Sequence, residues 1–252
     1  MTQETKPQAR HGGPPKMDPP DLTEKGASKD GVQQTSDRRL FMQLQAFGGV
    51  TDPAPLAKVL ADAGIEGVLY QELSDPRGVA LLTYSENEAY FVDTVGPLLR
   101  SGPFGELTQK SEYAMFGRTY SIGYEPNLED WLLKKPVRNV HDEKKPWAVW
   151  YPLRRKGKFM TLPEDEQKAI LREHGTIGMQ FGQSGLAADV RLACHGLDKN
   201  DNDFVIGLIG ANLHPLSALV ERMRKTRQTS TLMEKMGPFF VGKVVWRAGG
   251  AE

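Results

Sequence analysis

The chain is predicted to be an α+β protein in which two β-α-β-β-α-β repeats form a dimeric α+β barrel within one chain. Three observations predict it. Short runs rich in aromatic and β-branched residues alternate with period two, and longer runs carry apolar residues at helical spacing. The resulting order of elements then occurs twice, at an offset of roughly 107 residues. Each repeat is a ferredoxin-like unit, which buries one sheet face under its own helices and leaves the other face needing cover. Two such units in one chain can cover each other, leaving a pocket between sheet and helices.

Residues 1–38 are dominated by Pro, Gly, Lys, Asp and Gln and read as a disordered tail, because so few large apolar side chains cannot offset the entropy of ordering. Residues 39–124 form the first repeat. Leu40 to Phe47 alternates as a strand, and after the turn at Thr51-Asp-Pro the residues Leu56, Val59, Leu60 and Ala63 recur at helical spacing until Gly64. Gly67 to Glu72 and Val79 to Tyr84 read as paired strands split by the turn Ser74 to Gly78, followed by a helix from Glu86 to Leu99 and a strand from Tyr113 to Ile122. Residues 125–146 are the connector.

Residues 147–252 form the second repeat. Trp147 to Leu153 is its first strand, and a helix starts at Pro163 with Glu164, Asp165 and Glu166 in the turn that the macrodipole favours for acids. That helix is expected to end at His174-Gly175. Asp189 to Cys194 and Asp203 to Leu208 are paired strands, Pro215 opens a helix carrying Leu216, Leu219, Val220 and Met223 on one face, and Phe239 to Trp246 closes the unit.

Lys plus Arg and Asp plus Glu are 32 each, so no excess charge recruits nucleic acid or an anionic membrane surface. One cysteine, Cys194, precludes an intrachain disulfide, and no Cys/His spacing suits zinc. No apolar run of about 18 residues and no secretory leader pattern is present, so a cytoplasmic protein without a membrane span is expected. Cys194-His195 are strand neighbours on opposite faces, which disfavours a shared metal.

The aromatic strand around Tyr151 and the helix-borne His174 are the residue types that hold iron and handle radical chemistry in haem proteins. The motifs Tyr151-Pro-Leu-Arg-Arg155, Arg172-Glu-His174-Gly175-Thr-Ile-Gly178, Gly196-Leu-Asp198, Met223-Arg224 and Gly237-Pro-Phe-Phe-Val-Gly242 resemble the chlorite dismutase superfamily, and within it most closely the coproheme decarboxylases. In the first repeat, Gly117-Arg-Thr-Tyr-Ser121 shares the resemblance. It implies His174 as proximal iron ligand and Tyr151 as the radical-carrying residue that attacks a propionate. It further implies Arg155, Ser230 and Arg138 as propionate contacts. Taken without the resemblance, the same residues are an ordinary helix-end histidine, a buried strand tyrosine and solvated arginines.

The pattern also departs from the family. Its distal position, glutamine in many decarboxylases and arginine in chlorite dismutases, falls on Asp189, with Ala187 and Arg191 on the same strand face as alternatives. Phe159 and Met160 stand where chlorite dismutases carry two tryptophans. Ile209 stands where they carry the carboxylate partner of the proximal imidazole, so a neutral ligand with weak peroxidase activity is expected.

What the resemblance implies is conversion of iron coproporphyrin III (coproheme) to haem b with hydrogen peroxide, the iron entering with the porphyrin. A ring-shaped homo-oligomer is implied too, a pentamer among its candidate sizes. Chlorite dismutation or another haem peroxidase activity, and a non-enzymatic haem carrier or sensor, are the alternatives.

Overall fold

The computed structural model describes residues 17–249. The described chain opens with a hairpin, β1 (Glu24–Lys29) and β2 (Val32–Ser36), and continues with β3 (Phe41–Gly48), α1 (Ala54–Asp62), β4 (Gly67–Glu72) and β5 (Val79–Ser85). A π-helical turn at Phe91–Val95 leads into α2 (Gly96–Leu99), α3 (Gly102–Gly105) and β6 (Thr108–Thr119). Next come a second π turn at Asp130–Lys134, α4 (Lys135–His141), β7 (Trp147–Arg155) and α5 (Glu164–Gln183). The chain ends with β8 (Ala188–Ala193), β9 (Phe204–Gly210), α6 (Leu213–Arg224), α7 (Arg227–Thr231), β10 (Met233–Met236) and β11 (Phe240–Arg247).

The nine-stranded sheet closes on itself, because β7 pairs with β9 as well as with β11. Around the ring the order is β7-β11-β4-β5-β3-β6-β8-β9, with β10 added outside it along β7, and all pairings are antiparallel. Each half has the same internal order, with its fourth strand beside its first, then its third and second: β6-β3-β5-β4 and β11-β7-β9-β8. The two halves join at the β4–β11 and β6–β8 seams. This is the expected two-repeat barrel.

Closure removes exposed sheet edges and encloses a core. Met42, Leu44, Tyr70, Leu82, Trp150, Leu192 and Phe240 fill it, and Leu132, Leu133 and Val140 of the connector join the same cluster. Outside the first half, Leu56 and Leu60 of α1 pack with Phe47, Leu69, Leu81 and Phe104. Outside the second half, α5 and α6 cover Val149, Tyr151, Leu153, Ala193, Phe204 and Leu208.

One contact inside the barrel gives a stability test. A Cβ built on Gly207 of β9 would lie 2.5 Å from two ring carbons of Trp150, which is fully buried. Gly207→Ala is expected to destabilise the barrel by about 1–3 kcal/mol, as other overpacked cores are. An unchanged denaturant midpoint would show that the indole can move aside.

Four expectations change. Residues 17–38 are not a featureless tail, since β1 and β2 pair there, while residues 1–16 lie outside the described residues. The hairpin is held from outside its own sequence: Ala27 N–H donates to Glu125 O and Gln34 Nε2 donates to Glu125 O and Pro126 O. α5 does not stop at His174 but runs nine residues further, to Gln183. The helix expected over Glu86–Leu99 is regular only from Gly96, after the π turn. The last strand of the first half starts at Thr108 rather than Tyr113, and ends at Thr119.

Candidate functional site

The candidate site lies on the outer face of the second half, between the sheet and α5. Strand alternation decides which side chains reach it. On β7, Ala148 and Trp150 point into the barrel, whereas Val149, Tyr151 and Leu153 point outward. On β8, Val190 and Leu192 point inward, as does Cys194 just past the strand, leaving Asp189, Arg191 and Ala193 outward with Ala187 beside them. Register then places Arg191, Ile206 and Tyr151 in one row across the three strands, and Asp189, Leu208 and Val149 in the next.

From above, α5 presents Ile170, His174, Ile177 and Phe181 at helical spacing. Ile177 and Phe181 pack into the outer cluster over the sheet. His174 Nδ1 lies 3.4 Å from Thr226 Oγ1, and that hydroxyl already donates to Met223 O at 2.7 Å. The network therefore assigns the proton to Nδ1, which donates to Thr226, and leaves Nε2 as a free lone pair. Burial, reinforced by the Arg191 and Arg155 cations, lowers the imidazole pKa to about 4. A neutral imidazole with a hydrogen-bonded second nitrogen is the form that ligates a metal.

Tyr151 is buried, its ring stacked on Phe239 at 4.5 Å between centroids. Burial raises its hydroxyl pKa, the Asp189 charge adds to the rise, and Arg224 opposes it. Arg155, on the same face, lies 4.8 Å from the Phe159 ring and 4.6 Å from the Phe204 ring, and its Nε is buried without a hydrogen-bond partner. Its backbone N–H donates to Asp203 at 2.7 Å. Asp189 accepts from Arg191 Nε and lies 3.6 Å from Lys135 Nζ. Burial alone would raise its pKa, but the Arg191 and Lys135 cations outweigh that and hold it ionised.

Five predicted residues, Tyr151, Arg155, His174, Asp189 and Arg191, thus share one site. The other two do not reach it in the same way. Arg138 is exposed on α4, its guanidinium forked onto Asp130. Ser230 is exposed on α7 and donates to Thr226 O at 2.8 Å, beside an open groove of about 370 Å3 that is lined by Arg224, Thr229, Met233, Glu234, Lys235 and Met236. Ile209 also needs correcting. It points into the barrel interior and cannot face His174, while the outward residues of β9, Phe204, Ile206 and Leu208, are all apolar. The imidazole partner is the Thr226 hydroxyl instead.

Besides Thr226, the imidazole partner, sequence reasoning missed two residues of the site. Lys135 comes from the connector, and only the docking of α4 on β8, where Asn139 Nδ2 donates to Asp189 O at 2.9 Å, brings it to Asp189. Tyr120 follows β6, packs on Phe204 at 5.6 Å and has its pKa raised by burial against the opposing Arg191 and Arg155 cations. Its signal was available, since it sits inside the Gly117 to Ser121 motif.

These residues fit an iron porphyrin. A neutral His174 with its Nε2 lone pair free suits iron that brings its other ligands along. Beside it α5 is uncrowded: a Cβ on Gly175 would meet nothing within 4 Å, and one on Gly178 only Met223 at 3.5 Å. Glycine inside a helix costs about 1 kcal/mol relative to alanine, so helix stability is given up there for room. The unpaired Arg155 Nε offers a donor for a carboxylate.

No curated protein sequence matches this chain. Solved structures do. A double mutant of chlorite dismutase from Candidatus Nitrospira defluvii superimposes with a TM-score of 0.66 at 15% identity, covering 83% of this chain and 92% of the other. The imidazole complex of the enzyme from that organism gives 0.65 at 15% identity, over 83% and 92% of the two chains. A haem-binding protein from Thermus thermophilus gives 0.63 at 19% identity, over 82% and 91%. Among the described residues no helix is long and apolar enough to cross a membrane. The family model described as chlorite dismutase matches residues 103–245, more than half of the 252 residues and all of the candidate site, and the chain belongs to that family.

Proposed function

We propose that the protein binds an iron porphyrin through His174 and acts as a coproheme decarboxylase, converting two propionates of its substrate to vinyls with hydrogen peroxide. The observation that carries this reading is the placement of Tyr151, a buried phenol on the sheet face that α5 and its neutral His174 cover. Bound there, the substrate's iron would supply the oxidising equivalent drawn from peroxide.

The chain's own residues do the rest. His174 donates its free Nε2 lone pair and keeps its proton on Nδ1, toward Thr226. A hydroxyl is a weaker acceptor than a carboxylate, so the ligand stays neutral and general peroxidase activity stays low. Tyr151 is a neutral phenol, because burial holds its pKa above the ordinary value, and it can release an electron only together with its proton. Arg155 places a cation on the same strand face, where a propionate can take up its unpaired Nε–H. Ser230 and Arg138 contribute propionate contacts once their present partners, Thr226 O and Asp130, are exchanged for the ligand. Together these contacts hold the macrocycle in one rotational setting, so that the reacting propionate meets Tyr151.

Chlorite dismutation is the second reading, favoured by the outward Arg191 and opposed by its commitment to Asp189. The deciding experiment titrates the protein with coproheme, adds peroxide and follows product mass. Loss of two carbon dioxides and four hydrogens in total is expected. Oxygen release on adding chlorite would favour the second reading, and bound porphyrin with no vinyl product would leave a carrier or sensor. The proposal includes a cytoplasmic location and a ring-shaped homo-oligomer, whose subunit number light scattering of the purified chain measures.

A further inference from the structure

The ion pair on β8 has a consequence for which ligands the site accepts. Asp189 and Arg191 are two residues apart on one strand and point to the same face. Asp189 Oδ2 accepts from Arg191 Nε, and its other oxygen lies 3.6 Å from Lys135 Nζ. Both cations also lean on one indole: Lys135 Nζ is 3.8 Å and the Arg191 guanidinium 5.5 Å from the Trp131 ring centroid. Beside the cluster is a cavity of about 20 Å3 bounded by Thr119, Trp131, Lys135, Asp189 and Arg191, room for about one water-sized molecule. Two cations converging on one position make an anion receptor, and here the anion is supplied by the chain itself.

We propose that Asp189 is a specificity-determining residue that occupies the anion position of Arg191 and Lys135 from within, so that the site excludes small exogenous anions. The proposal rests on the reading that an iron porphyrin lies between α5 and this face. Asp189 acts through Arg191 and is a positioning residue. It keeps the guanidinium paired, and it reduces the local charge from two positive to one. Removing the carboxylate charge leaves both cations in a partly desolvated recess, where attraction for an anion at contact distance raises affinity by at least about tenfold.

The test uses nitrite and azide as probes. Both are titrated into the iron-porphyrin-loaded wild type, Asp189→Asn and Asp189→Ala, following the Soret band. Nitrite is also titrated into the porphyrin-free proteins, following the Arg191 Nε–H resonance by NMR. The expected result is a nitrite Kd lower by at least about tenfold in both variants, with and without porphyrin. Asp189→Glu should restore exclusion, and adding Arg191→Gln to Asp189→Ala should cancel the gain. Equal nitrite affinity of porphyrin-free wild type and Asp189→Asn, within about twofold or 0.4 kcal/mol, overturns the inference. Failure of every protein to take up porphyrin, with the nitrite gain intact, instead overturns the functional reading.

Discussion

Tyr151→Phe is expected to abolish vinyl formation from coproheme while leaving coproheme bound. The phenylalanine keeps the ring that stacks on Phe239 and removes only the hydroxyl, so the fold should lose no more than about 1 kcal/mol, the usual net worth of one polar contact. What disappears is the O–H bond whose hydrogen the reaction needs, and no other side chain on β7 is a phenol. Leu153 is apolar and Arg155 has no abstractable hydrogen of comparable reactivity. Product should fall by about a thousandfold or more, equivalent to some 4 kcal/mol of barrier. Tyr120 is the one nearby phenol that could substitute, so the double variant with Tyr120→Phe separates a rerouted reaction from a wrong assignment. Full turnover in the double variant would sink the decarboxylase reading.

His174→Ala is expected to abolish the histidine-ligated absorption spectrum and weaken iron-porphyrin affinity by about tenfold or more, a loss of at least 1.4 kcal/mol. External imidazole should restore the spectrum, because the space that the side chain leaves is next to the open flank at Gly175. The same residue sets a pH dependence in the porphyrin-free protein. Its folded pKa of about 4 lies below the ordinary 6.5, so between those values the unfolded chain binds the proton and the folded chain does not. Stability from this group is therefore complete above about pH 6.5 and is lost as pH falls toward 4. The alanine variant should lose less stability than wild type over that window. Parallel curves would mean that the imidazole titrates normally.

The barrel was legible because its signals are local and repeated. Both halves carry alternating strands and helical stripes in the same order, and a one-residue slip would turn each strand's apolar set away from its core. The failures follow from effects that a local reading cannot weigh. Gly175 looks like a helix stop, yet it takes an ordinary helical φ, and the left-handed stop comes at Gly185 with φ of 68°. The polar β1–β2 hairpin has too few apolar residues to be expected from burial, and its order comes from contacts with Glu125 and Pro126, far away in sequence. One sign was present: Asp30-Gly31, with φ of 52° and 81°, is the dipeptide that suits a tight hairpin turn.

The site divides along the same line. Tyr151, Arg155, Asp189 and Arg191 follow from strand parity, which is written in the sequence. Lys135 does not, because a helix in the connector had to be placed against β8 before its ammonium could find Asp189. Ile209 is matched to the family's carboxylate position through the resemblance alone, and strand parity turns its side chain into the barrel interior.

The β4–β11 seam bears on the order in which the ring assembles. Val68 to Glu72 pair with Gly242 to Arg247, so one of the two joints of the ring brings together residues far apart in the sequence. The first four ring strands, β3 to β6, can pair among themselves, but the barrel stays open until β11 reaches β4. Pairing over so long a stretch of chain is slow to nucleate, because loop closure must precede the contacts that reward it. Until then β7, which carries Tyr151, lacks its β11 neighbour, and the unfinished edge is open to pairing with other chains. The face that carries Tyr151 is therefore complete only after this long-range closure.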